Sequence, residues 1–321
     1  MSNVPAWRMR GVGAPEVLEL SSCQLSAPAG QQVLLKVEAA GFNPIDTKIR
    51  AGLAAIAPEK GVLGVDVSGV IEAVGDAVTM FRPGDAVYGC AGGVRGHSGA
   101  LAQYMLADAR LLAKAPQSIP LAQAAGLPVP SLTALALRRR LNLQSQDELC
   151  VLGGSGAVGQ MVIQLARQVG CRVVGSAGSE PRLQSIRNAG AQACLHHEVS
   201  ALARSFPKVV DTFGGPALQQ ALQLAAAGGQ VATINARGQH ELGLAHAKGL
   251  TLHAVFILLP LLNEEGREAL GRDLTWLAAA IDNGDTRPLP VNMVPMSEVV
   301  NVHREYEAGR LQQKTVLLAD F

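Results

Sequence analysis

The chain has 321 residues, 48% of them hydrophobic, and a formal net charge of +1. That length can bury a large core and points to two domains, while the balanced charge argues against a nucleic-acid footprint. Five cysteines, at positions 23, 90, 150, 171 and 194, are odd in number and about twenty residues or more apart, which excludes a disulfide framework and a Cys-x-x-Cys metal knuckle. A reducing cytoplasm is the expected setting, with Cys150, Cys171 and Cys194 as small buried thiols in or beside strands. Met1 to Gly13 already contains Pro5, Arg8 and Arg10, so no secretory leader is expected. The longest apolar stretch, Val255 to Leu262, is far short of the roughly 20 residues that span a bilayer, and reads as a buried strand with its exit turn.

In chain order, Val33-Leu34-Leu35-Lys36-Val37-Glu38, Val67 to Val74 and Asp85 to Tyr88 are β-rich and punctuated by Gly-Asp and Pro-Gly turns, as in an antiparallel, barrel-like domain. Leu121 to Leu143, rich in Ala and Leu, predicts a bridging helix interrupted at Pro128 and Pro130; Arg138-Arg139-Arg140 near its end reads as a solvated face. From residue 149 short apolar runs recur about every twenty residues, at Leu149–Leu152, Arg172–Val174, Ala193–Leu195, Val209–Val210, Gln230–Ile234 and Thr251–Phe256. That rhythm predicts βαβ units and a parallel sheet. Glu265 to Ile281 reads as an amphipathic helix, and Val291–Val294 with Thr315–Leu318 as strands returning to the first domain.

Between the first of those runs and a helix-period segment lies Gly153-Gly154-Ser155-Gly156-Ala157-Val158-Gly159. A tight turn off a strand needs unusual φ, phosphate oxygens need close backbone approach, and the following helix must pack on the sheet; glycine serves all three. Unpaired N–H groups at the helix start favour an anion. Val158, Val162, Leu165 and Val169 form one apolar face, and Gly170 is placed to end the helix. In this strand–turn–helix–strand context the pattern points to a dinucleotide, with Gly154, Ser155, Gly156, Ala157 and Val158 at its pyrophosphate.

After the second strand, where NAD-specific folds place an acidic residue, the chain reads Gly175-Ser176-Ala177-Gly178-Ser179. Ser176 and Ser179 offer hydroxyls and Arg182 a planar fork suited to a 2′-phosphate, which favours NADPH. Glu180 reads as an acidic residue at the next helix start. His196-His197 would point apart on a strand, and His240 and His246 sit in a Gly-rich segment; no metal site is expected.

Four ordered stretches, Ala39-Ala40-Gly41-Phe42-Asn43-Pro44-Ile45-Asp46, Leu63 to Ile71, Phe81 to Gly89 and the Gly153–Gly159 loop, resemble the medium-chain dehydrogenase/reductase superfamily, and within it the zinc-free, zeta-crystallin-like quinone oxidoreductase branch. The resemblance runs from about Trp7 to Leu318. It implies an α/β fold: a GroES-like, partly open β-barrel catalytic domain made of residues 1–121 and a return over 263–321, with a Rossmann doubly wound domain over 122–262 inserted, and an active site in the cleft between them.

Zinc-dependent relatives carry a Cys at the site of Asn43 and Gly-His-Glu at Gly64-Val65-Asp66, and Asn43 and Val65 supply neither thiolate nor imidazole. Without a Lewis acid the chemistry shifts from simple alcohols to acceptors already electrophilic, quinones and α,β-unsaturated carbonyls. The resemblance adds Thr133, Phe213, Gly214, Asn235, Ala236, Phe256 and Leu258 as cofactor contacts, with Lys314 a weaker one, and Asn43 and Asp46 as the Asn-x-x-Asp pair of the substrate side. Asn43 could hold an acceptor carbonyl or a water; Asp46 could brace its loop or Arg50, or transfer protons. Two departures bear on the acceptor: Ala54 stands where many relatives have tyrosine, and Lys48 where quinone oxidoreductases have an aromatic. The expectation is therefore a cytoplasmic, homodimeric, NADPH-dependent reductase of quinones or reactive enones, pairing along the Thr251–Leu259 run. A reductase of enals, aldehydes or enoyl thioesters, and an NADPH-binding structural or regulatory protein with little turnover, are the alternatives.

Overall fold

The computed structural model describes residues 2–202 and 205–321. They divide into two compact units, Met1–Val129 with Leu258–Phe321, and Pro130–Ile257.

In the first unit β1 (Ser2–Met9) pairs antiparallel with β2 (Leu18–Leu25). A larger sheet follows from β3 (Gln32–Gly41), β4 (Asp66–Val74), β5 (Ala86–Cys90), β6 (Tyr104–Asp108) and β7 (Leu112–Lys114). Along β3 the residues Val33, Leu35, Val37 and Ala39 are buried between more exposed neighbours, the period-two pattern of a strand with one covered face. One edge of β3 pairs with β4; the other is shared, residues 32–36 with β6 and 39–41 with a strand from the chain's end. Register shifts at Leu34/Leu35 and Val37/Ala39 bend the strand, as a partly open barrel requires.

The second unit holds β8 (Glu148–Leu152), β9 (Arg172–Ala177), β10 (Gln192–Leu195), β11 (Phe206–Asp211), β12 (Ala225–Thr233) and β13 (Thr251–Ala254). All pair parallel, in the order β10-β9-β8-β11-β12-β13. The winding direction reverses between β8 and β11, so the chain segments leaving those two strands diverge and open a crevice at the carboxyl edge. Beneath it Cys150, Leu152, Val174, Val209, Leu222 and Val231 pack into one core. The chain then returns to the first unit through the helix Arg267–Asp282, β14 (Val291–Pro295) and β15 (Lys314–Leu318), the last pairing with β3. Ala39, Ala122, Ala125 and Val316 form a small core there.

Four expectations are corrected. The bridging helix is two, Leu121–Ala124 and Pro128–Arg140: Pro128 heads the second and Pro130 lies in its first turn, where a proline's missing N–H leaves no bond unmade. The apolar run after β13 is no buried strand: β13 ends at Ala254, Leu259–Asn263 is a helix, and Phe256 and Leu259 are 40% and 50% exposed. β10 ends at Leu195, so His196 and His197 begin a short helix, His196–Val199, instead of alternating on a strand. The second strand of the nucleotide unit extends past Val174 to Ala177, because its neighbours β8 and β10 supply pairing partners for Gly175 and Ser176. All five cysteines are free and buried. Among the described residues no helix is long and apolar enough to cross a membrane.

Candidate functional site

The buried run Leu149–Leu152 of β8 leads straight into the glycine turn. Gly153 takes φ +81, a conformation other residues rarely adopt, so the tight turn falls one residue earlier than the spacing predicts. The Gly154 N–H donates to the Ser176 carbonyl at 2.8 Å, tying the turn to β9. A Cβ at Gly159 would overlap the Gly153 carbonyl oxygen and stand 2.7 Å from the Gly154 Cα, so the helix Ala157–Gln168 packs on its own entry turn only with glycine there. Gly156, by contrast, caps that helix facing open space: its Cβ would meet only the Gly153 oxygen, at 3.4 Å. The N–H groups of Ala157 and Val158, in the first turn, have no preceding turn to bond. Ser155, Gly156, Ala157 and Val158 thus border a space at the positive end of a helix, which fits a pyrophosphate.

Across the switch point, β11 ends on Asp211, which is fully buried. Its carboxylate accepts from the Phe213 N–H at 2.8 Å, the Gly214 N–H at 3.0 Å and the Thr233 hydroxyl at 2.8 Å. The Asn235 amide donates to the Phe213 carbonyl at 2.8 Å, so Phe213, Gly214, Asn235 and the adjoining Ala236 are gathered into one rim by an acid that sequence reasoning passed over. The signal was available: an aspartate at the end of a buried strand, followed by two glycines. Phe213 is 51% exposed over this rim. Thr133 is buried on the helix Pro128–Arg140, Phe256 half-exposed after β13, and Leu258 buried at the start of the first unit's returning segment.

Ser176 is corrected. It does not sit in a turn offering its hydroxyl to a ligand; it is fully buried within β9, its Oγ 2.8 Å from the Nδ1 of His196. Ser179 caps the helix Glu180–Ala189, with Glu180 in its first turn as expected and Arg182 half-buried beside it.

In the first unit, Asn43 follows β3 and Asp46 lies in the first turn of the helix after it, each 2% exposed. Asn43 caps the helix Pro44–Arg50, and the Asp46 carboxylate accepts from the Asn43 N–H at 2.9 Å and the Gly64 N–H at 3.3 Å. Asp46 therefore braces its own loop against Gly64 and not Arg50, which bonds instead to His303, the Gly13 carbonyl and Glu307. The Asn43 amide donates to the Gly41 carbonyl at 3.1 Å and to Asp66 at 2.8 Å, and its oxygen accepts from Lys314 at 2.6 Å. Both amide hydrogens are thus committed, leaving none for an acceptor carbonyl in this arrangement.

Lys314 is not a surface lysine: its side chain is 5% exposed and reaches the Phe42 carbonyl at 2.8 Å and Asp66 at 3.3 Å. Asp66 also accepts from the Val129 N–H at 3.0 Å. Burial pushes the Asp66 carboxyl up and the Lys314 ammonium down, in each case outweighing the pull of the partner. Nothing local in the sequence marks this pair, whose members lie 248 residues apart.

Burial, with Asp66 nearby, raises the Asp46 carboxyl to about 7 against the two N–H donors that favour its charge. The folded chain therefore holds a proton there that the unfolded chain releases between the ordinary carboxylate range and about pH 7. Stability contributed by this group is full at low pH and falls as the pH rises toward 7, at up to about 1.4 kcal/mol per pH unit. Asp46→Asn removes that slope, read from urea unfolding between pH 4.5 and 7.5; an unchanged slope places the proton elsewhere.

Among the described residues no group of three His, Cys, Asp or Glu side chains is placed to hold a metal ion. The model for an alcohol dehydrogenase GroES-like domain matches residues 29–117, and that for a zinc-binding dehydrogenase residues 157–268. A quinone oxidoreductase of Rattus norvegicus is 30% identical over 98% of this chain and 97% of its own. The chain belongs to the medium-chain dehydrogenase/reductase superfamily, in its quinone oxidoreductase branch. Similar too is the chloroplastic NADPH-dependent alkenal/one oxidoreductase of Arabidopsis thaliana, at 35% identity over 71% of this chain and 62% of that one. The crystal structure of an alcohol dehydrogenase superfamily protein from Novosphingobium aromaticivorans superposes with a TM-score of 0.90 at 32% identity, covering 99% of this chain and 100% of that one. As a member of this branch the protein is an oxidoreductase, and its two units are the GroES-like and Rossmann folds of the superfamily.

Proposed function

We propose that the protein is an NADPH-dependent reductase that passes hydride to a quinone or a reactive α,β-unsaturated carbonyl without zinc. The observation that carries this reading is the carboxyl edge of the parallel sheet: an open space at Gly156 beside a helix start, and at the end of β9 no carboxylate in the strand but Ser179 and Arg182 in the following turn and helix. A carboxylate in the strand would repel a 2′-phosphate, whereas a guanidinium offers it a fork of donors. The names of the Arabidopsis and rat relatives, an alkenal/one and a quinone oxidoreductase, support the same cofactor and acceptors.

When bound, NADPH supplies a hydride with its electron pair to the acceptor, whose oxygen takes the negative charge until water protonates it. The chain's part is to hold and orient. The first-turn N–H groups of Ala157 and Val158 would hold the pyrophosphate and the rim of Phe213, Gly214, Asn235 and Ala236 would take the rest of the dinucleotide, with Thr133, Phe256 and Leu258 the residues that the resemblance assigns to its nicotinamide end. Asn43 and Asp46 act as positioning residues of the substrate loop, because their polar atoms are spent on holding it. Asn43 and Val65 lack the thiolate and imidazole of a catalytic zinc, so the acceptor must be electrophilic by itself. Ala54 and Lys48 leave the acceptor side without the tyrosine and the aromatic of relatives, which favours small enones over stacked quinones and disfavours enoyl thioesters.

NADPH oxidation is to be followed with quinones, enones, enals and simple aldehydes, with NADH in parallel. The reading expects turnover with NADPH and enones or quinones and little with NADH; NADPH binding with no oxidation by any acceptor overturns it. A cytoplasmic homodimer belongs to the same reading: among the described residues β13 is one of the two edge strands of its sheet, with Leu252 39% exposed, and two such edges would pair about a twofold axis. Light scattering should return twice the chain's mass, and a monomer mass at micromolar concentration rejects the pairing.

A further inference from the structure

The cofactor reading leaves His196 without a role, yet two elements fix its ring and a third its backbone. Its Nδ1 lies 2.8 Å from the Oγ of Ser176, buried in β9. It packs in a T-shaped contact with the ring of Phe213, after β11, at 5.4 Å between centroids and 86° between planes. Its carbonyl accepts from the Gln220 amide at 3.0 Å, on the helix Pro216–Leu224. What remains is the Cδ2–Nε2 edge, and this edge faces the turn after β9: a Cβ on Gly178 would stand 3.6 Å from Cδ2 and 3.8 Å from Nε2. The end of the second strand is where dinucleotide folds read the adenosine ribose at its 2′ position.

We propose that His196 senses the 2′-phosphate of NADPH, taking up a proton when that phosphate binds, so that the preference for NADPH over NADH strengthens as the pH falls. The inference rests on the NADPH reading above. In the free protein, burial and then the Arg182 guanidinium hold the imidazole below its ordinary value, so it is neutral at pH 7. A phosphate between the two cations reverses that balance, because an anion favours the charged imidazole. Ser176 is suited to both states: its hydroxyl donates to a neutral Nδ1 and accepts from a protonated one, so protonation costs no hydrogen bond. Among the described residues, Arg182 is the charge that acts on the ring, and the neighbouring elements carry these groups. Arg182 and Glu180 come from the helix after β9; His197 and Glu198 share the histidine's own short helix, where the Glu198 carboxylate accepts from the Leu195 N–H at 2.8 Å; the Cys194 thiol on β10 is held neutral by burial. Phe213 and Gln220 carry no charge.

Linkage sets the sign. Binding that raises the histidine's pKa is tightened by protons, across the pH range between the free and bound values. The 2′-phosphate itself loses charge near pH 6, which works in the opposite direction and is common to every variant.

The test is calorimetric titration of the intact protein with NADPH and with NADH, from pH 8 to pH 6.5 and in buffers of different ionisation enthalpy, on wild type, His196→Gln and His196→Asn. The ratio of the two affinities is read, so a general loss of stability cancels. Wild type is expected to take up protons with NADPH and not with NADH, and to gain about tenfold in the ratio on acidification, the size of one charge-assisted hydrogen bond. Both variants should lose the proton uptake and hold a ratio that no longer rises. A wild-type NADPH preference with no proton uptake, or uptake that survives in both variants, overturns the role of His196 while leaving the cofactor reading standing. Equal affinity for NADPH and NADH at every pH overturns both.

Discussion

Lys314→Met is expected to cost about 3–5 kcal/mol of unfolding free energy at pH 7.5, the penalty for leaving one member of a buried ion pair behind. Asp66, fully buried, would keep only the Asn43 amide and the Val129 N–H as donors. It would respond by binding a proton, since burial already pushes its carboxyl up and the ammonium that opposes this is gone. The deficit should therefore shrink as the pH is lowered from 7.5 to 5. Adding Asp66→Asn to Lys314→Met should restore most of the loss, because it removes the charge that burial penalises. Urea unfolding of the two single variants and the double variant closes the cycle. A Lys314→Met cost below about 1 kcal/mol, with no pH dependence, would mean that the pair is incidental to the loop carrying Asn43.

The second large effect is at the glycine turn. Gly159→Val places a side chain against the Gly153 carbonyl and 2.7 Å from the Gly154 Cα, backbone atoms of the turn with nothing flexible to yield. Either the turn or the helix must move. The first-turn N–H groups then leave their position, and NADPH affinity should fall about 100-fold or more, together with a lower melting temperature. Gly156→Val separates binding from folding. Its backbone at φ −71 accepts any residue, and its Cβ meets nothing closer than 3.4 Å, so the fold should be nearly unaffected. The added side chain occupies the space assigned to the pyrophosphate, and binding should be lost as in Gly159→Val. If Gly156→Val binds NADPH like wild type, that space does not hold the phosphates.

These two sites also mark how far the sequence could be read. The glycine turn was legible because it is local: strand, turn, helix and strand succeed one another within a short stretch, and each imposes its own period on the residues. The six strands of the parallel sheet were legible for the same reason, though β9 reaches Ala177 where composition reads a turn from Gly175. That difference moves Ser176 from a ligand-facing turn into the sheet and makes it a partner of His196. The Asp66–Lys314 pair was illegible because its members meet only after β15 pairs with β3, and no periodicity reports on contacts between chain ends. Pro128 and Pro130 were read as an interruption, but Pro128 heads the second helix and Pro130 falls in its first turn, where a proline's missing N–H leaves no bond unmade. Asp211 and His196 show a common limit: a polar residue at a strand end is visible in the sequence, while which rim it organises depends on strand order.

Transfer of deuterium from C4-deuterated NADPH to a small enone, followed by mass spectrometry of the product, tests the central claim most directly. The account predicts label on the β-carbon of the saturated ketone, an unlabelled α-carbon protonated from water, and the same result in protein stripped with a chelator. NADPH bound but not oxidised, or turnover that ceases on chelation and returns with zinc, would contradict it.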